Sequence, residues 1–317
     1  MKDRITLRFL ASPGDADGSI VQAGSVLEWI DKAGYACAVG WAGASCVTAY
    51  VGNVNFGRPI HPGELVEATA RVIHTGRTSI HVQVTISSAD TRDGEFTLGT
   101  HCILVFVAVD AAGRPQRVPE WVPRGLEDLE IAAGAEGRIV ARARIHDEMR
   151  RQRYTSEGTA PRVTFRFLAA PSVVNFGGNA HGGTVMRWID EAARTCATEW
   201  SKRATIAVYS GGIHFYRPIR IGEIVEVEAR LIHTGQRSMH VAIHVRSGDP
   251  IDPVMEMTTQ CMSILVSTGD DGRAIPVAAL MPRSEEDRAL DAHAIDLIAM
   301  RAELTALPVD GPLRNSA

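Results

Sequence analysis

The stretch that decides the fold runs from Asn175 to Trp200, NFGGNAHGGTVMRWIDEAARTCATEW. A glycine-bearing loop with two asparagines (Asn175, Asn179) and one histidine (His181) runs straight into an amphipathic helix. On that helix Met186, Asp190, Ala193 and Ala197 fall on one face, so a single carboxylate interrupts an otherwise apolar stripe. Much of the surrounding sequence occurs twice. Trp188-Ile189-Asp190 answers Trp29-Ile30-Asp31, and Phe215-Tyr216-Arg217-Pro218-Ile219 answers Phe56-Gly57-Arg58-Pro59-Ile60. Ile232-His233-Thr234-Gly235 answers Ile73-His74-Thr75-Gly76, and Ser238 answers Ser79. The offset is 159 residues from the helix onward (Asp31 to Asp190, Cys102 to Cys261) and 158 before it (Arg8 to Arg166). The chain is a tandem duplication in which the loop before the helix differs by one residue.

Each copy reads in the same order. A β-branched and aromatic run (Ile5–Leu10, Val163–Leu168) precedes the loop. One long helix follows (about Gly24–Trp41, Gly183–Ser201). Four strands close the unit, in the second copy Thr205–Phe215, Ile224–Thr234, Met239–Arg246 and Met257–Ser267. Alternation such as Val225-Glu226-Val227-Glu228 predicts half-buried antiparallel strands. Pro-Gly at 62–63 and the His-Thr-Gly steps predict the turns. The expected class is α+β, two tandem units that are each a curled antiparallel sheet round one long helix. The expected domains are 1–123, a linker with a helix over 124–160, a second unit over 161–283, and a C-terminal helix and tail over 284–317. Helical periodicity is read over Ile139–Met149. Ser284 with Glu285, Glu286 and Asp287 reads as a capped helix start, and Pro308–Ala317 as a frayed tail.

Composition narrows the field. At 45% hydrophobic and 22% charged residues the chain is globular. A net charge of −4 argues against a broad nucleic-acid surface, and no helix-turn-helix pattern stands out. Five cysteines without a C-x-x-C pair support neither a disulfide framework nor a zinc site, so they read as small buried hydrophobes, and no metal is expected. No signal-peptide core and no run near ~20 apolar residues is present, so a cytoplasmic protein without membrane contact is expected.

Burying a lone carboxylate is costly, so Asp190 and its equivalent Asp31 are either structural acids paired with a cation or working groups. Gly182-Gly183 place free N–H groups and the positive helix end beside the loop, which suits an oxygen gaining negative charge. Asp190 lies seven residues past Gly183, about 10 Å along the axis, too far to act at its own helix start. The acid of one copy meets the helix start of the other if the copies pair about a pseudo-twofold axis. The two composite sites then differ. Fifteen residues before each acid stands Asn175 in the second copy and Ala16 in the first. One site, Asn175 and Gly183 with Asp31, is complete; the other, Ala16 with Asp190, is degenerate.

Three motifs carry a family resemblance: Asn175…Gly182-Gly183…Trp188-Ile189-Asp190, Phe215–Glu223, and His233–Met239, with first-copy matches at Trp29–Asp31, Phe56–Glu64 and His74–Ile80. The chain resembles the tandem hot-dog acyl-CoA thioesterases, a group that includes cytosolic and brown-fat-type hydrolases. The resemblance implies hydrolysis of acyl-CoA to free acid and coenzyme A, with no cofactor beyond the coenzyme A of the substrate. It implies that Asp31 activates water or attacks directly, that Asn175 comes from the opposite repeat, and that the helix start at Gly183 holds the thioester oxygen. It also implies a homotrimer of two-unit chains. Gly182, His181, Asn179, Arg58, Arg77, Ser79, Arg217, Arg237 and Ser238 are candidate substrate contacts; solvated strand ends are the alternative for the arginines. Two other readings compete. A hydratase or dehydratase on this fold would pair His181 with Asp31, and a non-catalytic acyl-CoA-binding module would explain the degenerate first loop.

Overall fold

A computed structural model describes residues 3–302 apart from 93, 176, 253, 270 and 271. The expected frayed tail, Pro308–Ala317, lies outside the described residues. Two compact units are present: one holds residues 3–137 and Gly182–Arg187, the other Arg138–His181 and 188–302.

The first unit opens with β1 (Arg4–Leu10), a two-strand hairpin β2 (Ala16–Asp17) and β3 (Ile20–Val21), and helix α1 (Ala23–Ala42). Then come β4 (Cys46–Val51), the short β5 (Val54–Asn55), β6 (Glu64–Thr75), β7 (Ser79–Asp90) and β8 (Thr97–Ala108). Its main sheet has the order β1-β6-β7-β8-β4, antiparallel throughout. Helix α1 packs against all five of these strands, so the sheet must wrap around it. The pattern responsible is period two: Val66, Ala68, Ala70 and Val72 on β6 are buried beside Val82, Val84 and Ile86 on β7. The repeated Trp29 explains itself here. It stacks on Phe9 of β1 at 5.7 Å between ring centres, and Phe9 pairs with Val66. Gly34, one of the small residues after Asp31, serves packing: a Cβ there would sit 3.0 Å from the Phe106 ring. Gly43, left-handed at φ 63°, ends the helix with its N–H on the Val39 carbonyl.

The second unit repeats the plan with β9 (Arg162–Leu168), α3 (Gly182–Ser201, from Trp188 onward), β10 (Thr205–Phe215), β11 (Ile224–Thr234), β12 (Met239–Gly248) and β13 (Glu256–Ser267). The sheet order is β9-β11-β12-β13-β10. Trp188 again meets the first-strand phenylalanine, Phe167, at 4.8 Å. The strands lie at the expected positions within a residue or two, and the described topology is that of two hot-dog units.

The duplication also extends past the sheets. Helices α2 (Leu126–Arg151) and α4 (Glu285–Ala302) follow the two sheets, and their contacts correspond at the same offset. Arg71 pairs with Glu127 at 3.1 Å, as Arg230 pairs with Glu286 at 2.6 Å. Ile73 packs with Ile131 and Ala135, as Ile232 packs with Leu290 and Ala294. Ser284 and Asp287 cap α4 reciprocally, each backbone N–H donating to the other's side chain. Helix α2 is longer than the 139–149 periodicity indicated, and the reason is physical. Ile131 and Ala135 face the first unit's sheet, whereas Ile145 and Met149 pack in the second unit. The stripe changes partner midway, and Arg138 and Arg142 interrupt it between the two apolar segments. All five cysteines are free and buried.

Candidate active site

A helix start leaves its first N–H groups without intrahelical acceptors. At the start of α3 the Gly183 N–H donates to Asp31 Oδ2 at 2.8 Å. The other oxygen, Oδ1, accepts the Thr48 hydroxyl of β4 at 2.8 Å. Asp31 is 1% exposed, so the carboxylate in the apolar stripe is buried and each oxygen receives a hydrogen bond. Charge-assisted bonds of this kind are roughly twice as strong as neutral ones, and the positive end of the α3 dipole adds to them. Gly182 makes the approach possible. A Cβ there would stand 3.1 Å from the Thr48 hydroxyl oxygen and 3.2 and 3.3 Å from the two Asp31 oxygens. One turn on, Arg187 Nη1 lies 3.5 Å from Glu28 Oε2 of α1.

Neighbouring acidic groups stay protonated. Burial, and then the charge of Asp31, push the Cys102 thiol far above its ordinary range. Burial also raises the Tyr35 phenol, followed by Cys46 and Asp31. At neutral pH neither side chain is an anion.

Thr48 was not among the candidates read from the sequence. A signal existed: at the 159-residue offset its equivalent is Ala207, a repeat position that differs by a hydroxyl and a methyl group. Gly182 differs likewise, its equivalent being Ala23.

The other predicted residues fall into place as follows. Asn175 organises its own loop: its Oδ1 accepts from the N–H groups of Gly177 (2.8 Å) and Asn179 (3.1 Å), and its Nδ2 reaches the Ala180 carbonyl at 3.4 Å. Asn179 in turn donates to the Gly177 carbonyl. His181 lies one residue before α3, with its N–H on the Val173 carbonyl. In the first copy Ala16 pairs with Val21 in the β2–β3 hairpin, a different local structure from the asparagine-held loop. Asp190 is buried on α3 beside Met186, Ile189 and Ala193.

Several arginine candidates are already engaged. Arg217 pairs with Glu223 at 2.9 Å and with Glu256, and Arg58 reaches the Ser88 carbonyl and lies 3.8 Å from Glu64. The Arg-Pro…Gly-Glu motif therefore closes on itself in both copies. The His-Thr-Gly-x-x-Ser motif is a turn: the Gly76 N–H meets the Ser79 carbonyl, and the Gly235 N–H meets that of Ser238, each at 2.9 Å. A Cβ on either glycine would clash with the serine hydroxyl, at 2.6 and 2.7 Å. Arg77 and Arg237 stand exposed at the tips of these turns.

Comparison with known proteins bears on the whole arrangement. The sequence profile of the thioesterase superfamily matches twice, over residues 18–95 and 177–254. The chain is a tandem pair of thioesterase-superfamily domains. Each match runs from the loop through the helix and the following strands, stopping just before the last strand of its copy. The human cytosolic acyl coenzyme A thioester hydrolase is 24% identical over 299 residues, which cover 87% of this chain and 77% of that protein. The mouse acetyl-coenzyme A thioesterase is 24% identical over 256 residues, 75% of this chain and 46% of that protein. A Lactobacillus plantarum structure, named provisionally as an oleoyl thioesterase, superposes with a TM-score of 0.59 at 9% identity, over 84% of this chain and 97% of that one. That likeness extends the shared fold of the thioesterase-superfamily pair to nearly the full length of the second protein.

Proposed function

We propose that the chain is an acyl-CoA thioesterase, hydrolysing acyl-CoA to a free acid and coenzyme A. The observation that carries the reading is the buried Asp31 carboxylate, held between the Thr48 hydroxyl and the first turn of α3. The tandem superfamily match and the thioester hydrolases it resembles support the same chemistry.

Asp31 takes a proton from water as the water oxygen attacks the thioester carbonyl, or attacks that carbonyl itself. In either route the carbonyl oxygen gains negative charge, and we assign the start of α3 as its donor, with substrate displacing the Gly183 N–H from Asp31. The C–S bond then breaks, and the coenzyme A thiolate leaves and takes up a proton, on the water route the one Asp31 accepted; on the direct route the acyl group stays on Asp31 as a mixed anhydride, which water cleaves to the free acid and the carboxylate. Asn175, from the other repeat, completes the site with Asp31. Asp190 with Ala16 forms the degenerate counterpart. Coenzyme A enters as part of the substrate, and no further cofactor takes part. We assign the protein to the cytoplasm, as the name of the human relative suggests, and its assembly to a homotrimer of two-unit chains, which rests on the family resemblance.

The test is release of free coenzyme A thiol by the purified chain across acyl-CoAs of graded length. Hydrolysis of saturated acyl-CoAs that disappears in Asp31→Ala is expected. Absence of thiol release with every chain length, or hydration of an enoyl-CoA instead, overturns the proposal. Sedimentation at three times the mass of the chain checks the trimer.

A further inference from the structure

In the second unit a cavity of about 500 Å³ opens between the end of α2 and the sheet, a size typical of small-ligand pockets. Its floor is β12 and β13, where His244 pairs with Gln260. Arg246 is two residues further along the same face, which is also the face of Ala242 and Met262 on which α2 and α4 pack. Trp188 of α3 meets Phe167, which pairs with Val225, on the opposite parity. The cavity therefore lies on the sheet face turned away from α3.

Its chemistry is one-sided. Arg150 and Arg246 line it, and no carboxylate does. Arg246 meets Glu226 only at 3.6 Å, and the Arg150 side chain makes no ion pair or hydrogen bond among the described residues. His244 adds no charge: burial, then Arg246 and Arg230, push its pKa down to about 3. The rings are fixed. Tyr154 meets His244 edge-on at 4.1 Å. The Tyr216 hydroxyl donates to Gln260 Oε1 at 3.3 Å, and Gln260 Nε2 donates to the Met149 carbonyl at 3.0 Å. None of this belongs to the duplicated plan. At the first-copy positions equivalent to Tyr216, His244 and Arg246 stand Gly57, Thr85 and Ser87.

A guanidinium without an ion-pair partner among the described residues (Arg150) beside one held by a single carboxylate at 3.6 Å (Arg246) suits phosphate, and an anchored aromatic ring suits a planar base. We propose that this cavity binds a free nucleoside phosphate, with the phosphate on Arg150 and Arg246 and the base against Tyr216, as a site separate from acyl-CoA hydrolysis.

Calorimetric titration of the full chain with ADP, adenosine and inorganic phosphate tests this without any turnover, so its outcome is independent of the thioesterase reading. ADP is expected to bind at least about tenfold more tightly than either fragment. Arg246→Ser and Tyr216→Gly, which install the first-copy residues, should each weaken ADP binding about tenfold or more. The exposed Arg150→Gln should do likewise without risk to folding. Acyl-CoA kcat and KM should be unchanged in all three. Three results overturn the proposal: no ADP binding at millimolar concentration, ADP binding equal in the wild type and a folded Arg150→Gln, or a KM for acyl-CoA that rises as ADP binding falls. The last would make the cavity the seat of the substrate's own nucleotide end.

Discussion

Asp31 and Asp190 hold equivalent places in two copies of one repeat, both on the central helix and both buried. Their surroundings have diverged. Asp31 has the Thr48 hydroxyl on one oxygen and the Gly183 N–H on the other, with Gly182 leaving room for both. At the positions corresponding to Asn175, Gly182 and Thr48, the other copy carries Ala16, Ala23 and Ala207. Three polar or minimal residues on one side answer to three alanines on the other. Duplication leaves each copy free to diverge at these positions, while the buried acid persists in both.

The sharpest way to break the comparison is to remove each acid in turn. Asp31→Ala should lower kcat by about 10³-fold or more, the scale of losing an essential base, while Asp190→Ala should cost less than about tenfold. Equal losses in thiol-release assays would end the claim of one working site. A second contrast concerns the duplicated ion pairs. Arg230 is 2% exposed, whereas the partner of Arg71, Glu127, is 63% exposed. Arg230→Ala should therefore cost about 3–5 kcal/mol of stability, by taking the buried cation from between Glu228 and Glu286, and Arg71→Ala clearly less. Denaturant titration decides it, and the reverse order would show that burial does not set the difference.

Gly182→Ala copies the Ala23 of the other repeat. Its methyl group crowds Asp31 and Thr48, so kcat should fall about 10–100-fold with at most ~1–3 kcal/mol of stability lost. Wild-type turnover in this variant would mean that the close approach has no catalytic part. Thr48→Ala copies Ala207 and removes one bond to the carboxylate; about a tenfold fall in kcat, recovered by Thr48→Ser, is expected. The smallest effect is in pH dependence. Burial leads in holding His214 down to about 4 and His240 and His244 to about 3. Their unfolded forms take up protons near 6.5, so the stability they contribute is full above that pH and declines as pH falls toward 4. Asn55 and Thr85 replace two of the three in the first copy. His244→Thr should flatten the acid limb of thermal stability by up to about 1.4 kcal/mol per pH unit, and an unchanged limb would place the titration elsewhere.

Much of the fold was legible because it is written in local periodicity. The alternation along β11, the Trp-Ile-Asp face of α1 and α3, and the 159-residue offset are short-range patterns that survive without coordinates. Helix α2 was only partly legible, since its two apolar segments answer to different units. At the site, the separation of Asp190 from Gly183 followed from helical rise alone. The partner that Asp31 finds in Thr48 did not, because a threonine in a strand looks the same whether its hydroxyl meets water or a carboxylate. The motif arginines were legible as charges but not as pairs.

The amino-acid order by itself determined a duplicated α+β unit, a buried acid on each central helix, and the loss of the asparagine from one loop. These are properties of spacing and residue type. Tertiary structure decided which groups satisfy the buried Asp31, that the Arg-Pro…Gly-Glu and His-Thr-Gly motifs make contacts within their own turns, and that the two apolar segments of α2 pack in different units. Those outcomes depend on which distant hydrogen-bonding group reaches a desolvated oxygen first, and sequence separation carries no record of that distance.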